Sequence, residues 1–258
     1  MRLLILGESD SIGAALKDPS IAWGNRISRE IEEQVGQVPE TTHVRFYSWG
    51  SGTAEYLAKI LEGGPFDAVV ISTTKVGFTI YSADNRVRKV FGNRVGDAFK
   101  NTVKAVDRRT LRRQPPGWKR SMNQAGHRLV RKVIGQAPVT SPEAVARGYI
   151  ETFATLARLE DAHVVVVLAP ALPSPAARRR PKLAAAVDHF RRAMREEAVR
   201  RRFAVVDPMP LMPAPTADRD RLFTDDVHKT PELHLLLGRA VAQAVIEGLG
   251  AGNTRSLN

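Results

Sequence analysis

The sequence predicts one α/β domain in three layers, a five-stranded parallel sheet with helices on both faces. Two observations carry this. Short apolar runs of strand length alternate with longer stretches of helical periodicity, and 258 residues lie within what one such core organises. A third observation narrows the chemistry. The chain has no cysteine, which excludes disulfides, thiolate catalysis and cysteine-ligated metals and removes any argument for an oxidising compartment.

The run from Arg2 to Leu6, closed by Gly7, reads as a central strand buried on both faces. Ile27, Ile31 and Val35 recur every four residues up to Gly36, the pattern of an amphipathic helix with a glycine stop. His43 to Tyr47 is expected as the second strand. Gly50-Ser51-Gly52 makes a polar turn, and Thr53 then opens a helix through Glu55, Tyr56, Leu57 and Ile60. Strand three is expected at Asp67 to Ser72. Strand four, His163 to Ala169, follows a helix from Pro142 to Glu160, and strand five, Phe203 to Val206, follows an Arg-rich helix from Lys182 to Arg202. Proline suits the first helical position and threonine the cap, so Thr230-Pro231 opens a last helix that ends near Leu249. The stretch from Lys75 to Ala137 breaks this alternation. It reads as an enlarged basic connection within a single domain, leaving strand three at its carboxyl end.

Lys and Arg number 39 against 27 Asp and Glu, a formal charge of +12. Fifteen of those cations, and only Asp97 and Asp107 against them, fall between Arg86 and Lys132. Such a segment is either a set of solvated helix faces or an anion-binding surface beside the site. Only Phe91, Phe99 and Trp118 interleave with the charges, which argues against nucleic acid as the partner. The second Arg-rich stretch, Arg178 to Arg202, alternates with acids and reads as an exposed helix face. The apolar start is too short for a signal peptide or a membrane span, so the expected address is the cytoplasm.

In a parallel sheet, chemistry gathers at the carboxyl ends of the strands. Three segments converge there: Gly7-Glu8-Ser9-Asp10-Ser11-Ile12-Gly13 after strand one, Gly50-Ser51-Gly52 after strand two, and Asp225-Asp226-Val227-His228 before the last helix. In this order they resemble the SGNH or GDSL hydrolases, a family of serine esterases and lipases with a flavodoxin-like fold, and the resemblance covers most of the chain. It implies that Ser9 is the nucleophile, with Glu8 where the family has aspartate. It also implies that His228 and Asp225 complete a triad. A hydroxyl needs an imidazole to take its proton, and the imidazole needs a carboxylate to fix its tautomer. Asp226, Asp10, Ser11 and His234 are close decoys; His234 reads as a helix-face residue without a catalytic role.

The family's second block supplies an oxyanion-binding backbone N–H, matched by Gly52, or by Gly50 in the other register. Its third block, Gly-x-Asn-Asp, falls on Thr74-Lys75-Val76-Gly77, and Val76 lacks the expected side-chain donor. Thr73, Thr74, Lys75, Asn85 and Asn93 are candidates to replace it. The resemblance implies ester hydrolysis through an acyl-enzyme, with neither metal nor cofactor. The substrate expected is a small-molecule or carrier-linked acyl ester, anionic if the basic stretch lines the site. Acyl transfer on the same residues, and a non-catalytic module binding anions or nucleic acid, remain the other readings.

Overall fold

The computed structural model describes residues 1–8, 10–13, 16–46, 53–79, 81–82, 137–213, 217–224 and 228–255. The chain divides into two compact units, Met1–Lys75 with Pro142–Asn258, and Val76–Ser141. In the second unit the described residues form a short helix, Val76–Thr79, and an antiparallel ribbon pairing Tyr81–Ser82 with Ala137–Pro138. The basic stretch Arg86–Lys132 lies outside the described residues.

The first unit holds the sheet. Its strands are β1 (Arg2–Gly7), β2 (Glu40–Arg45), β3 (Ala68–Ser72), β4 (His163–Val167) and β5 (Ala204–Val206). All pair in parallel, in the spatial order β2-β1-β3-β4-β5. The helices are α1 (Trp23–Val35), α2 (Thr53–Leu61), α3 (Pro142–Leu156), α4 (Ser174–Arg179), α5 (Pro181–Arg200) and α6 (Pro231–Arg255), with a further turn at Ala217–Asp220. The expected five-stranded parallel sheet is therefore present.

Side chains alternate across a strand, so β1 feeds two cores. Leu3 and Ile5 join Ala68, Val70, Val165, Val167 and Val206 on one face, where α1 brings Trp23, Ile27 and Ile31 and α6 brings Leu237, Val241, Ala242 and Val245. On the other face α2, α3 and α5 pack on one another. Tyr149, Phe153 and Phe190 form tilted ring contacts there, and Phe203 meets Phe153 edge to face. Gly36 ends α1 in the left-handed conformation, φ 73°, with its N–H on the Glu32 carbonyl, as the glycine stop predicts.

Several elements differ from expectation for identifiable reasons. Strand two begins at Glu40, because an edge strand exposes one face and its polar residues Glu40 and Thr42 hide it from a search for apolar runs. The helix begun at Pro142 ends at Leu156. Val35, the third residue of the α1 stripe, is exposed. The Arg-rich stretch is two helices, and one of its arginines does not face solvent. Arg191 is 11% exposed, donating to both Asp207 oxygens and to the Ala169 carbonyl. Pro231 does open α6, but the Thr230 hydroxyl is buried with no hydrogen bond among the described residues. That threonine occupies the cap position without capping through its side chain.

Candidate active site

With this strand order the connections after β1 and β3 leave on opposite faces, so a crevice opens between the carboxyl ends of those strands. Glu8 stands on one side of it and Thr73 to Lys75 on the other. The Thr74 hydroxyl donates to Glu8 Oε2 at 2.5 Å, joining the two strand exits. Thr74 N–H donates to Tyr149 Oη at 3.0 Å, and that phenol donates to the Ser72 carbonyl at 3.1 Å. Lys75 is buried, its ammonium donating to the carbonyls of Pro170 and Ala171 at 3.1 Å each, and the Ala169 N–H donates to Thr73 Oγ1. Thr74 and Lys75 thus brace three neighbouring strand exits.

Burial is the largest influence on the Glu8 carboxyl and pushes it up to about 7, against the Thr74 hydrogen bond and the ammonium groups of Lys229 and Lys75. A carboxyl that holds its proton more tightly when folded stabilises the fold fully below its ordinary value of 4.5. That contribution is lost as pH rises through about 7. Glu8→Gln keeps an oxygen for Thr74 and removes the charge. In urea unfolding it should match wild type at pH 4.5 and exceed it by about 3 kcal/mol at pH 8. A difference independent of pH would show that Glu8 ionises as freely in the fold as outside it.

Ahead of α6, residues 222–224 and 228–230 run antiparallel as the two limbs of a hairpin. Phe223 and Lys229 make a β-bridge, Thr224 N–H donates to the His228 carbonyl at 2.9 Å, and Thr230 N–H donates to the Leu222 carbonyl at 2.9 Å. Leu222 and Phe223 anchor it by packing with Met212 and Leu233. His228 is half-buried at the head of the second limb. Lys229, next in the chain, turns inward and donates to Asp10 Oδ2.

Asp10 is buried and faces a second group. His234, in the first turn of α6, sets Nε2 3.5 Å from Asp10 Oδ1, while its Nδ1 accepts the Trp23 N–H at 3.1 Å. An Nδ1 that accepts leaves the ring proton on Nε2, directed at the carboxylate. Burial alone would raise the Asp10 carboxyl. The Lys229 ammonium, and His234 after it, outweigh burial and hold it well below the usual carboxylate range.

Ser11 and His43 form a serine–histidine contact. The Ser11 hydroxyl donates to the Glu8 carbonyl at 2.7 Å and meets His43 Nε2 at 2.9 Å. With its only proton spent on the carbonyl, Ser11 accepts from the imidazole, which therefore cannot serve it as a base. Ser11 is 0% exposed, out of reach of any substrate. The contact pins the β1 exit to β2 and needs two glycines. A Cβ at Gly7 would collide with the Ser11 hydroxyl, and one at Gly24 would come 2.5 Å from His43 Cε1.

Of the residues singled out in the sequence, Ser9, Gly50, Gly52, Asn85, Asn93, Asp225 and Asp226 lie outside the described residues. Among the others, the hairpin holds His228, the β3 exit holds Thr74 and Lys75, and Asp10, Ser11 and His234 are buried. Lys229 escaped notice, since a single lysine in a loop carries no periodicity. Glu8 registered only as a substitution for aspartate. Among the described residues no helix is long and apolar enough to cross a membrane.

No family model and no curated protein matches the sequence. Solved structures do match. A variant of an acetyl-xylooligosaccharide esterase from Geobacillus is similar with a TM-score of 0.55 at 11% identity, over 95% of this chain and 93% of that one. The inhibitor-bound aryl esterase of M. smegmatis aligns with a TM-score of 0.52 at 13% identity, over 96% and 99%. A carbohydrate acetylesterase from Sinorhizobium meliloti gives 0.52 at 12%, again over 96% and 99%. These likenesses establish the fold: the chain has the α/β fold of the SGNH hydrolases, and its structural neighbours are esterases.

Proposed function

We propose that the chain is a serine ester hydrolase in which Ser9 attacks an acyl carbonyl, His228 takes and returns the proton, and Asp225 orients His228. One observation carries this reading most directly. Asp10 and Lys229, 219 positions apart in the chain, are joined side chain to side chain, and each is the immediate neighbour of a proposed reacting residue. The sequence order of Ser9 and His228 and the esterase neighbours of the fold support the same reading.

In this scheme the serine oxygen bonds to the carbonyl carbon as its proton passes to His228, and the leaving alkoxide departs with that proton. Water, deprotonated by the same imidazole, then releases the acyl group. The Gly52 N–H, or that of Gly50, is the proposed oxyanion donor, with Thr74 and Lys75 shaping the wall beside it. Admission of an alcohol in place of water would turn the same residues to acyl transfer.

The purified protein should hydrolyse p-nitrophenyl acetate in the presence of chelators. The two neighbouring carboxylates then separate the triad from chance. Asp225→Asn should lower kcat by about a hundredfold or more, because the imidazole loses the partner of its charged form. Asp226→Asn should stay within about threefold of wild type, because in this reading its carboxylate does not orient the imidazole. The reverse order would assign the orienting role to Asp226.

A further inference from the structure

Asp10 and Lys229 are 5% and 7% exposed. Taking two charges out of water is costly, and well-packed apolar residues of similar volume commonly serve a fold as well or better. Their presence in the core therefore calls for a reason other than stability. Three elements meet at this carboxylate. Lys229 brings the hairpin, His234 brings the first turn of α6, and His234 in turn holds the Trp23 N–H at the start of α1. Helices α1 and α6 are packed along the same face of the sheet, so Asp10 is backed by the rigid part of the unit.

Each partner is covalently adjacent to a residue of the proposed reaction. From Ser9 to His228 the through-space route is one peptide link to Asp10, one ion pair, and one peptide link from Lys229. We propose that the Asp10–Lys229 pair, backed by His234, is a positioning device that sets the separation of Ser9 and His228; this rests on their assignment as nucleophile and base. It acts through those two residues and touches no substrate. A misplacement of about 1 Å between reacting groups commonly costs about a hundredfold in rate, so an ion pair of fixed length at this position bears directly on turnover. The hairpin has its own apolar anchor in Leu222 and Phe223, so losing the pair should shift His228 without unfolding its support.

The test uses the full chain with p-nitrophenyl acetate, measuring kcat, KM and Tm for Lys229→Met, for Asp10→Leu combined with Lys229→Met, and for Lys229→Arg, beside Ser9→Ala. Lys229→Met leaves the buried Asp10 carboxylate without its ammonium, with only His234 beside it, and should lower both Tm and kcat. In the double variant the stranded charge is gone although His234 loses its acceptor, so Tm should recover most of the way towards wild type while kcat stays about a hundredfold down and KM moves less than about threefold. Lys229→Arg keeps the charge and should recover kcat to within about tenfold of wild type. A folded double variant with wild-type kcat overturns the proposal, leaving the pair a feature of the fold alone. Should the double variant fail to fold, a folded Lys229→Arg protein as slow as Lys229→Met overturns it equally. Wild-type turnover in Ser9→Ala is a different failure: it removes the esterase reading, and the positioning role with it.

Discussion

Ser9→Ala is expected to lower kcat/KM for p-nitrophenyl acetate by about four decades or more, with Tm within a degree or two of wild type. The size follows from what the hydroxyl does in the proposed reaction. Without it no acyl-enzyme forms, and only uniform binding and the oxyanion donors remain to assist attack by water. The small change in Tm follows from the size of the substitution, since Ser9→Ala removes a single oxygen atom. Ester turnover by stopped assay and unfolding by circular dichroism measure the two quantities. Turnover within tenfold of wild type would remove Ser9 from the mechanism.

His228→Ala should cause a loss of the same order, and the combined variant should lose little beyond either one. Members of a triad act as a unit, so removing the second adds almost nothing once the first is gone. Two independent contributions would instead multiply, and the double variant would fall by the product of the single losses. Comparing the three rate constants decides between these cases. A His228→Ala enzyme that keeps most of its activity would direct attention to a different base. His43 is a poor substitute, because its Nε2 donates to a buried Ser11 hydroxyl and burial lowers its affinity for a proton.

Much of the fold was legible because its signals are local. Strands buried on both faces, such as Leu3–Leu6 and Val164–Val167, are written as continuous apolar runs, and Gly36 and Pro231 mark helix ends through their own backbone geometry. Edge strand β2 was legible only in part, since half of its residues face solvent and carry no apolar signature. What escaped altogether are the charges that folding takes inside. Arg191 sits in a run of arginines that looks uniformly exposed, and only the arrival of Asp207 after β5 explains its burial. Lys229 and His234 are drawn to Asp10 across 219 and 224 positions of chain, a pairing that no periodicity encodes. Glu8 reaches Thr74 because β1 and β3 are neighbours, and that adjacency belongs to the strand order rather than to either segment. The residues proposed to react are read from motif order; the buried charges beside them in the chain are not.

The claim at the centre is that Ser9 is the nucleophile, and covalent labelling tests it most directly. The native protein is treated with a fluorophosphonate, digested, and the modified peptide sequenced by mass spectrometry, with the His228→Ala variant in parallel. The account predicts one adduct, on Ser9, whose formation slows by orders of magnitude when His228 is replaced. An adduct on any other residue, or labelling of Ser9 at the same rate with and without His228, would contradict it.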